Sequence, residues 1–308
     1  MSAKSVTILG GSGMLGSMLV DYLSRDEEFD VHATVRTDDL LGNCSSRVPE
    51  VEWRLYEFDP TNPNGMRVDF HGVDWVINAI GITKPLIHDD NAFEIERAIR
   101  INSYLPHLIS SAASGAGARV LQIATDCVFS GETGDYLETD PHDALDAYGK
   151  SKSLGEVPAA HVHNLRASIV GPEPKEHKFL LDWFLGQSNG AEVNGYTNHR
   201  WNGVTTLHFA KICHGMIRKD LVIPSVHHLL PSGHLSKHEL LVDFAKGFGR
   251  LDLTIVPAEA TTVIDRTLGT VDEDVNRGLW AAAGYSDPPT VHEMVAELAA
   301  FDYRMAGI

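Results

Sequence analysis

Tyr148 and Lys152 stand four residues apart in Asp146-Ala-Tyr-Gly-Lys-Ser-Lys152. On a helix, positions i and i+4 share a face, so an ammonium can sit beside the phenol ring and its oxygen. A cation held there favours tyrosinate, and bringing a phenol from ~10 to ~7 takes about 4 kcal/mol of differential interaction. Such a pair can deliver a proton to an oxygen that gains charge in a transition state. The spacing alone is weak evidence, because the chain has eight tyrosines and ten lysines that can match by chance. It needs a helix under it. Ser153-Leu-Gly-Glu-Val157 extends one as far as Pro158, while Asp140-Pro141 and the polar run to Asp146 read as the loop that feeds it.

A glycine turn is the second feature with chemistry in it. Gly10-Gly-Ser-Gly13-Met14-Leu15-Gly16 follows the apolar run Val6–Leu9 and opens a stretch in which Met14, Leu15, Met18, Leu19, Tyr22 and Leu23 recur at helical spacing. Glycines let a backbone turn sharply and approach a diphosphate, whose charge then meets the free N–H groups and dipole of the helix start. A strand before and an amphipathic helix after are the context that dinucleotide binding requires, which makes Gly10, Gly13, Met14, Leu15 and Gly16 cofactor-binding candidates. A tight strand-to-helix turn without a ligand is the alternative. At the end of the second strand, where an NAD site commonly has an acid for the ribose hydroxyls, stand Val35-Arg36-Thr37. Arg36 can pair with a 2′-phosphate, so NADP(H) is favoured and NAD(H) stays open; a solvated loop arginine is the other reading.

These groups need a frame. The runs Val6–Leu9, Val31–Val35, Val51–Phe58, Val73–Ile80 and Val120–Ala124 read as strands alternating with helical patterns, among them Ile95–Ala113. Such alternation implies an α/β fold with a parallel, doubly wound sheet of Rossmann type. From about Arg166 the pattern loosens. Phe179–Leu185, Thr206–Ile217, Lys237–Phe248 and Val291–Phe301 look helical, and Leu221–Ile223 and Leu253–Val256 look like strands. The expected division is a cofactor-binding domain over 1–170, rejoined by about 203–232, and a smaller α/β substrate-binding region over most of 171–308.

Composition narrows the class. The 308 residues are 43% hydrophobic, enough for a sizeable core. Twenty-five Lys and Arg against 42 Asp and Glu leave a formal charge of −17, which repels nucleic acid and anionic membranes, so neither is an expected partner. The first apolar run is too short for a signal peptide or a membrane span, and no later one reaches spanning length. Cys44, Cys127 and Cys213 lie far apart, which suits a reducing cytoplasm better than a disulfide scaffold or zinc ribbon.

Taken in order, the glycine turn, VINAIGI (Val76–Ile82), RINSYLPHLISSAA (Arg100–Ala113), VLQIATDCVFSG (Val120–Gly131), YLETD (Tyr136–Asp140) and YGKSKSLGE (Tyr148–Glu156) resemble the extended short-chain dehydrogenase/reductases. The chain is most similar to their dTDP-4-dehydrorhamnose reductase group, which reduces 4-keto nucleotide sugars; the likeness is dense over 5–170 and sparse beyond. The resemblance implies Thr125, Tyr148 and Lys152 as catalytic residues, with Tyr148 and Lys152 also touching the cofactor. It implies that Asn78, Ala79 and Gly81 flank the cofactor and that Asp59 lies near its adenine. Asn102 would help hold the active helix, or merely bond local backbone. A nucleotide-diphosphate sugar as substrate, a role in surface polysaccharide or glycosylation precursor synthesis, and a homodimer are further implications.

Departures from the family pattern refine the reaction. Related sugar-nucleotide dehydratases follow Thr-Asp with a glutamate acid, whereas this chain has Thr125-Asp126-Cys127, so dehydration is disfavoured. A cysteine there is similar to the GDP-fucose synthase group, which epimerises with a cysteine and a histidine before reducing, and His177 is the histidine within reach in sequence. A small packed cysteine is the alternative for Cys127. Thr125, Asp126, Cys127, His177 and Arg200 are therefore the substrate-binding candidates, with Arg200 able to fork onto a diphosphate or to form a surface ion pair. The approach Pro141-His-Asp-Ala-Leu-Asp-Ala-Tyr148 departs from the family's Pro-x-Pro form. His227, His228, His234 and His238 are not expected to bind zinc: adjacent strand residues point to opposite faces, and the run reads as a strand returning to the sheet. Plain reduction is the leading reading; an epimerase or epimerase-reductase, and a non-catalytic regulatory subunit like that of methionine adenosyltransferase, are the others.

Overall fold

In the computed structural model, which describes residues 3–55, 69–175 and 177–307, the first apolar run becomes β1 (Lys4–Leu9) and the glycine turn leads into α1 (Met14–Leu23). Next come β2 (Phe29–Val35), α2 (Asp38–Arg47), β3 (Glu52–Leu55) and β4 (Trp75–Asn78). One long helical stretch follows, made of α3 (Ala92–Ala98), a π-helical segment Ile99–Tyr104 and α4 (Leu105–Ala116), and it leads to β5 (Arg119–Ala124), α5 (Ala147–Leu154) and β6 (Val162–Arg166). The second half contains β7 (Ile169–Val170), α6 (Leu180–Leu185), β8 (Glu192–Tyr196), β9 (Arg200–Trp201), β10 (Val204–Thr205), α7 (Thr206–Arg218) and β11 (Val226–His228). It closes with β12 (Leu235–Ser236), α8 (Lys237–Gly247), β13 (Thr254–Ala258), α9 (Glu273–Ala282) and α10 (Val291–Ala300).

Seven strands form one parallel sheet in the order β11-β6-β5-β4-β1-β2-β3. Successive side chains of its central strands feed two cores. Val6, Ile8, Ile77, Leu121 and Leu165 face α1 and α7, while Leu9, Val76, Val120 and Val162 face Leu105, Ile109 and Ala113 of α4. This is the doubly wound Rossmann-type architecture, and the strand order reverses beside β1, where β2 and β4 lie on opposite sides. The remaining strands pair off two by two: β7 with β10, β8 with β13, and β9 with β12.

One sequence expectation needs correction, and two helices were not foreseen. Leu221–Ile223 is not a strand; Asp220 adopts a left-handed φ of 50° and Leu221 N–H bonds the carbonyl of Met216 at 2.9 Å, so these residues close the C-terminus of α7 and the strand begins only at Val226. Helices α2 and α9 are not among the expected elements; α2 buries only Cys44, and α9 buries Asn276, Leu279 and Trp280.

The segment after α10 returns to the start of the chain. Tyr303 shares a hydrogen bond with Ser17 at 2.6 Å, and Arg304 donates through Nε to the Asp21 carboxylate at 2.7 Å, with Asp21 fully buried in α1. Arg25 reaches the same carboxylate at 2.8 Å.

Candidate active site

Three loops, at the carboxyl ends of β1, β4 and β5, build the site: the first packs on the second, and the second and third meet the start of α5. The first is the glycine turn. Gly10 has φ +86°, open to glycine and strained for other residues, and a Cβ on Gly16 would lie 2.1 Å from the Gly10 carbonyl oxygen. Gly10 and Gly11 are held to β2 through Thr34, at 3.1 and 2.8 Å. Gly13 caps α1 without any side-chain acceptor, leaving the first N–H groups of the helix to an outside anion. A closely approached backbone with uncapped donors is the cradle a dinucleotide diphosphate needs, so these residues fit the cofactor that the sequence implies. Met14 and Leu15 form the first helical positions.

Arg36 stands exposed at the end of β2 with no ion pair or hydrogen bond among the described residues, and Thr37 caps α2. Asp59 lies outside the described residues. Asn78 is fully buried: its amide donates to Gln122 at 2.8 Å and its carbonyl accepts from Ile80 N–H at 3.1 Å, which shapes the loop of Ala79 and Gly81. Ala79 and Ile80 in turn pack on Gly10.

Asn102 sits in the π-helical segment and joins two loops. Its carbonyl accepts from Ile82 N–H at 2.8 Å, and its amide donates to the Ile82 carbonyl at 2.9 Å and to Ser151 Oγ at 3.1 Å. Ser103 adds a 2.7 Å bond to the Ser151 carbonyl. Asn102 thus bonds the distant backbone of Ile82, not that of its own helix, and it fastens α5 through Ser151.

The start of α5 is fixed by Asp146, whose Oδ1 accepts from Gly149 N–H at 2.7 Å and whose Oδ2 pairs with Lys84 at 2.7 Å. Gly149 allows the helix to press on the turn after β5, since a Cβ there would lie 2.3 Å from the Cys127 carbonyl oxygen. That contact brings the Tyr148 phenol beside Thr125, whose hydroxyl interacts with it and otherwise donates to Asp126 at 3.2 Å.

In the protein alone, burial rather than Lys152 dominates the phenol. Loss of solvent pushes Tyr148 above the ordinary tyrosine range, with Cys127 adding to the rise and Thr125 opposing it. Lys152 instead donates to the carbonyl of Ile123 at 2.7 Å, and burial pulls its ammonium down to about 8, against the supporting charge of Glu156. Glu156 is itself gripped in a buried bidentate pair by Arg166, both bonds 2.7 Å.

Burial lifts the Asp126 carboxyl, and burial together with Asp126 pushes the Cys127 thiol up to about 12, so Cys127 is a thiol at neutral pH. His177 is not brought to it. With φ 50°, the exposed His177 pairs through Nδ1 with Asp182 of α6 at 3.1 Å, and no contact between His177 and Cys127 exists among the described residues. Arg200 forms the ion-pair alternative, with Asp265 at 3.1 Å and Asp135 at 3.4 Å. His227 faces Glu138, His228 lies between Arg166 and the Gly269 carbonyl, and His234 touches Arg200, so the histidine run serves separate partners, and β11 does return to the sheet.

Sequence reasoning missed Lys84, Lys237 and Arg266. The charges of all three act on Cys127 or Asp126, and Arg266 also donates to the Phe129 carbonyl at 2.8 Å. Lys84 could have been suspected from its nearness to Asn78-Ala-Ile-Gly81; the other two come from distant loops with no motif around them.

The family described as RmlD substrate binding domain matches residues 4–261. A dTDP-4-dehydrorhamnose reductase of Escherichia coli is 36% identical over 159 residues, 49% of this chain and 45% of that protein. The matched stretch spans less than half the length of each curated relative. A solved dTDP-4-dehydrorhamnose reductase of Bacillus anthracis, in complex with NADP, superposes with a TM-score of 0.69 at 19% identity, over 96% of this chain and 98% of that one. A UDP-glucuronic acid 4-epimerase of Bacillus cereus, bound to NAD and a fluorinated substrate analogue, gives 0.71 at 14% identity over 97% and 98%. No described helix is long and apolar enough to cross a membrane.

Proposed function

The chain belongs to the RmlD substrate binding domain family, and from that premise we propose that it is an NADPH-dependent reductase of a 4-keto sugar carried on a nucleotide diphosphate. The observation that carries this reading is the convergence of Thr125 and Tyr148 at the end of β5, with Lys152 tied to the same strand. A bound nicotinamide cofactor supplies hydride to the carbonyl carbon. Tyr148, held protonated by its raised pKa, is in the form a proton donor needs and gives its proton to the developing alkoxide. Thr125 hydrogen-bonds the same oxygen, and Lys152, mostly ammonium at neutral pH with a pKa of about 8, balances the phenolate left behind. Asn102 and Ser103 keep α5 in register by holding Ser151.

NADPH is preferred over NADH in this reading because Arg36 is unpaired among the described residues at the ribose end of β2. Reduction without epimerisation is supported by the protonated Cys127 thiol and by His177 being engaged with Asp182. The enzyme then acts in the cytoplasm as a homodimer, on precursors of a surface polysaccharide or glycan. The test is NADPH oxidation with a panel of 4-keto nucleotide sugars. Turnover of at least one, with inversion of no neighbouring centre, is expected. A protein that binds NADPH yet turns over none of the panel would overturn the proposal.

A further inference from the structure

The connection from β7 to α6 crosses to the cofactor cradle. Gly171 presses on α7, where a Cβ would lie 2.1 Å from Thr206 Oγ1, and Pro172 and Pro174 then restrict the backbone. Glu173, only 6% exposed, anchors both ends: its N–H donates to Asp182 at 2.7 Å, and its carboxylate accepts from Phe179 N–H. Between these anchors Lys175 extends to the glycine turn, where its ammonium donates to Ser12 Oγ at 3.2 Å. Its charge also acts on the buried Cys44 thiol of α2, and the side chain is half-buried.

Ser12 lies within the turn, 5% exposed, between Gly11 and the uncapped helix start at Gly13. An ammonium fixed there meets the same space as the N–H groups that open α1. The chain as a whole carries −17, so an incoming polyanion is repelled at long range. Backbone dipoles offset part of that, and a cation at the turn offsets more.

We propose that Lys175 is a cofactor ligand: the loop after β7 delivers its ammonium to the diphosphate cradled by Gly10–Gly16, so the dinucleotide site is completed from the second half of the chain. This rests on the cofactor reading above. The diphosphate is common to both dinucleotides, whereas the 2′-phosphate end of the site lies at Arg36, so Lys175 serves NADPH and NADH alike.

Equilibrium titration of the full chain with NADPH and with NADH tests this without any sugar substrate. Lys175→Met should raise both dissociation constants about tenfold or more while leaving their ratio unchanged. Lys175→Arg should stay within about threefold of wild type. Thermal unfolding of each variant reports folding separately. Unchanged constants in Lys175→Met, an effect on NADPH alone, or a Lys175→Arg loss equal to that of Lys175→Met would each overturn the assignment. Wild-type protein that binds neither dinucleotide would instead remove the cofactor reading itself, and this proposal with it.

Discussion

Lys152 Nζ lies 2.7 Å from the carbonyl oxygen of Ile123, two residues before Thr125 on the same chain segment. The ammonium and the threonine hydroxyl are thus positioned by one strand end, while Tyr148 is positioned by the helix that carries Lys152. Removing the phenolic oxygen should therefore disturb proton delivery and little else. Tyr148→Phe is expected to lower kcat by ~10²–10⁴ with NADPH affinity unchanged, and Lys152→Ala to weaken both turnover and cofactor binding. Rates and cofactor titrations on the two variants check this; wild-type turnover in the Phe variant with cofactor bound would end the assignment of Tyr148 as donor.

Arg36 predicts cofactor choice. A charge-assisted contact with a 2′-phosphate is worth ~1.5–3 kcal/mol, so NADPH should bind at least about tenfold more tightly than NADH. Arg36→Ala should erase most of the difference by weakening NADPH alone. Equal dissociation constants in the unaltered protein would show the arginine to be a solvated loop residue.

Cys127 separates reduction from epimerisation. Its thiol, pushed up to about 12, is a poor base near neutral pH. Cys127→Ser should leave NADPH oxidation within about tenfold of wild type, since a small packed group is exchanged. Substrate incubated with enzyme in deuterated water without NADPH should gain no deuterium beside the carbonyl; Cys127-dependent uptake would instead establish an epimerase-reductase.

Two buried histidines predict acid sensitivity. Burial holds His228 at about 4 and His208 at about 3, against an ordinary value near 6.5. The unfolded chain takes up these protons before the folded one does, so their contribution is complete above pH 6.5 and is lost as pH falls toward 4. Between pH 7 and pH 5 each should cost about 2 kcal/mol of stability. Urea unfolding at both pH values measures the loss, and a flat result would mean that one or both rings gain a proton in the fold.

What the sequence disclosed was local. Strand runs such as Val31–Val35, the glycine turn, and the spacing of Tyr148 and Lys152 depend on neighbours within a turn or a strand, and periodicity reports such neighbours directly. The helix α2 gave a weaker signal, because Cys44 is its one buried residue and Leu40 and Leu41 are only half-buried against the core. Lys175 could not be linked to Ser12 from sequence, since their contact spans 163 positions. The surroundings of Tyr148 were hidden for a related reason: the i to i+4 spacing allows a cation near the phenol, but the carbonyl of Ile123 that bonds the ammonium comes from another element.

The bond between Arg304 and Asp21 joins residues 283 positions apart. During synthesis α1 leaves the ribosome with its buried carboxylate still lacking that partner, and β11, the edge of the sheet, is also made late. A nascent first half can gather around β1, β2, β4 and β5, with Arg25 already beside the Asp21 carboxylate, but the second cation arrives only once residue 304 has emerged. Truncation just before Asp302 would therefore leave a buried carboxylate with one of its two arginines, a weakened charge pair inside the first helix.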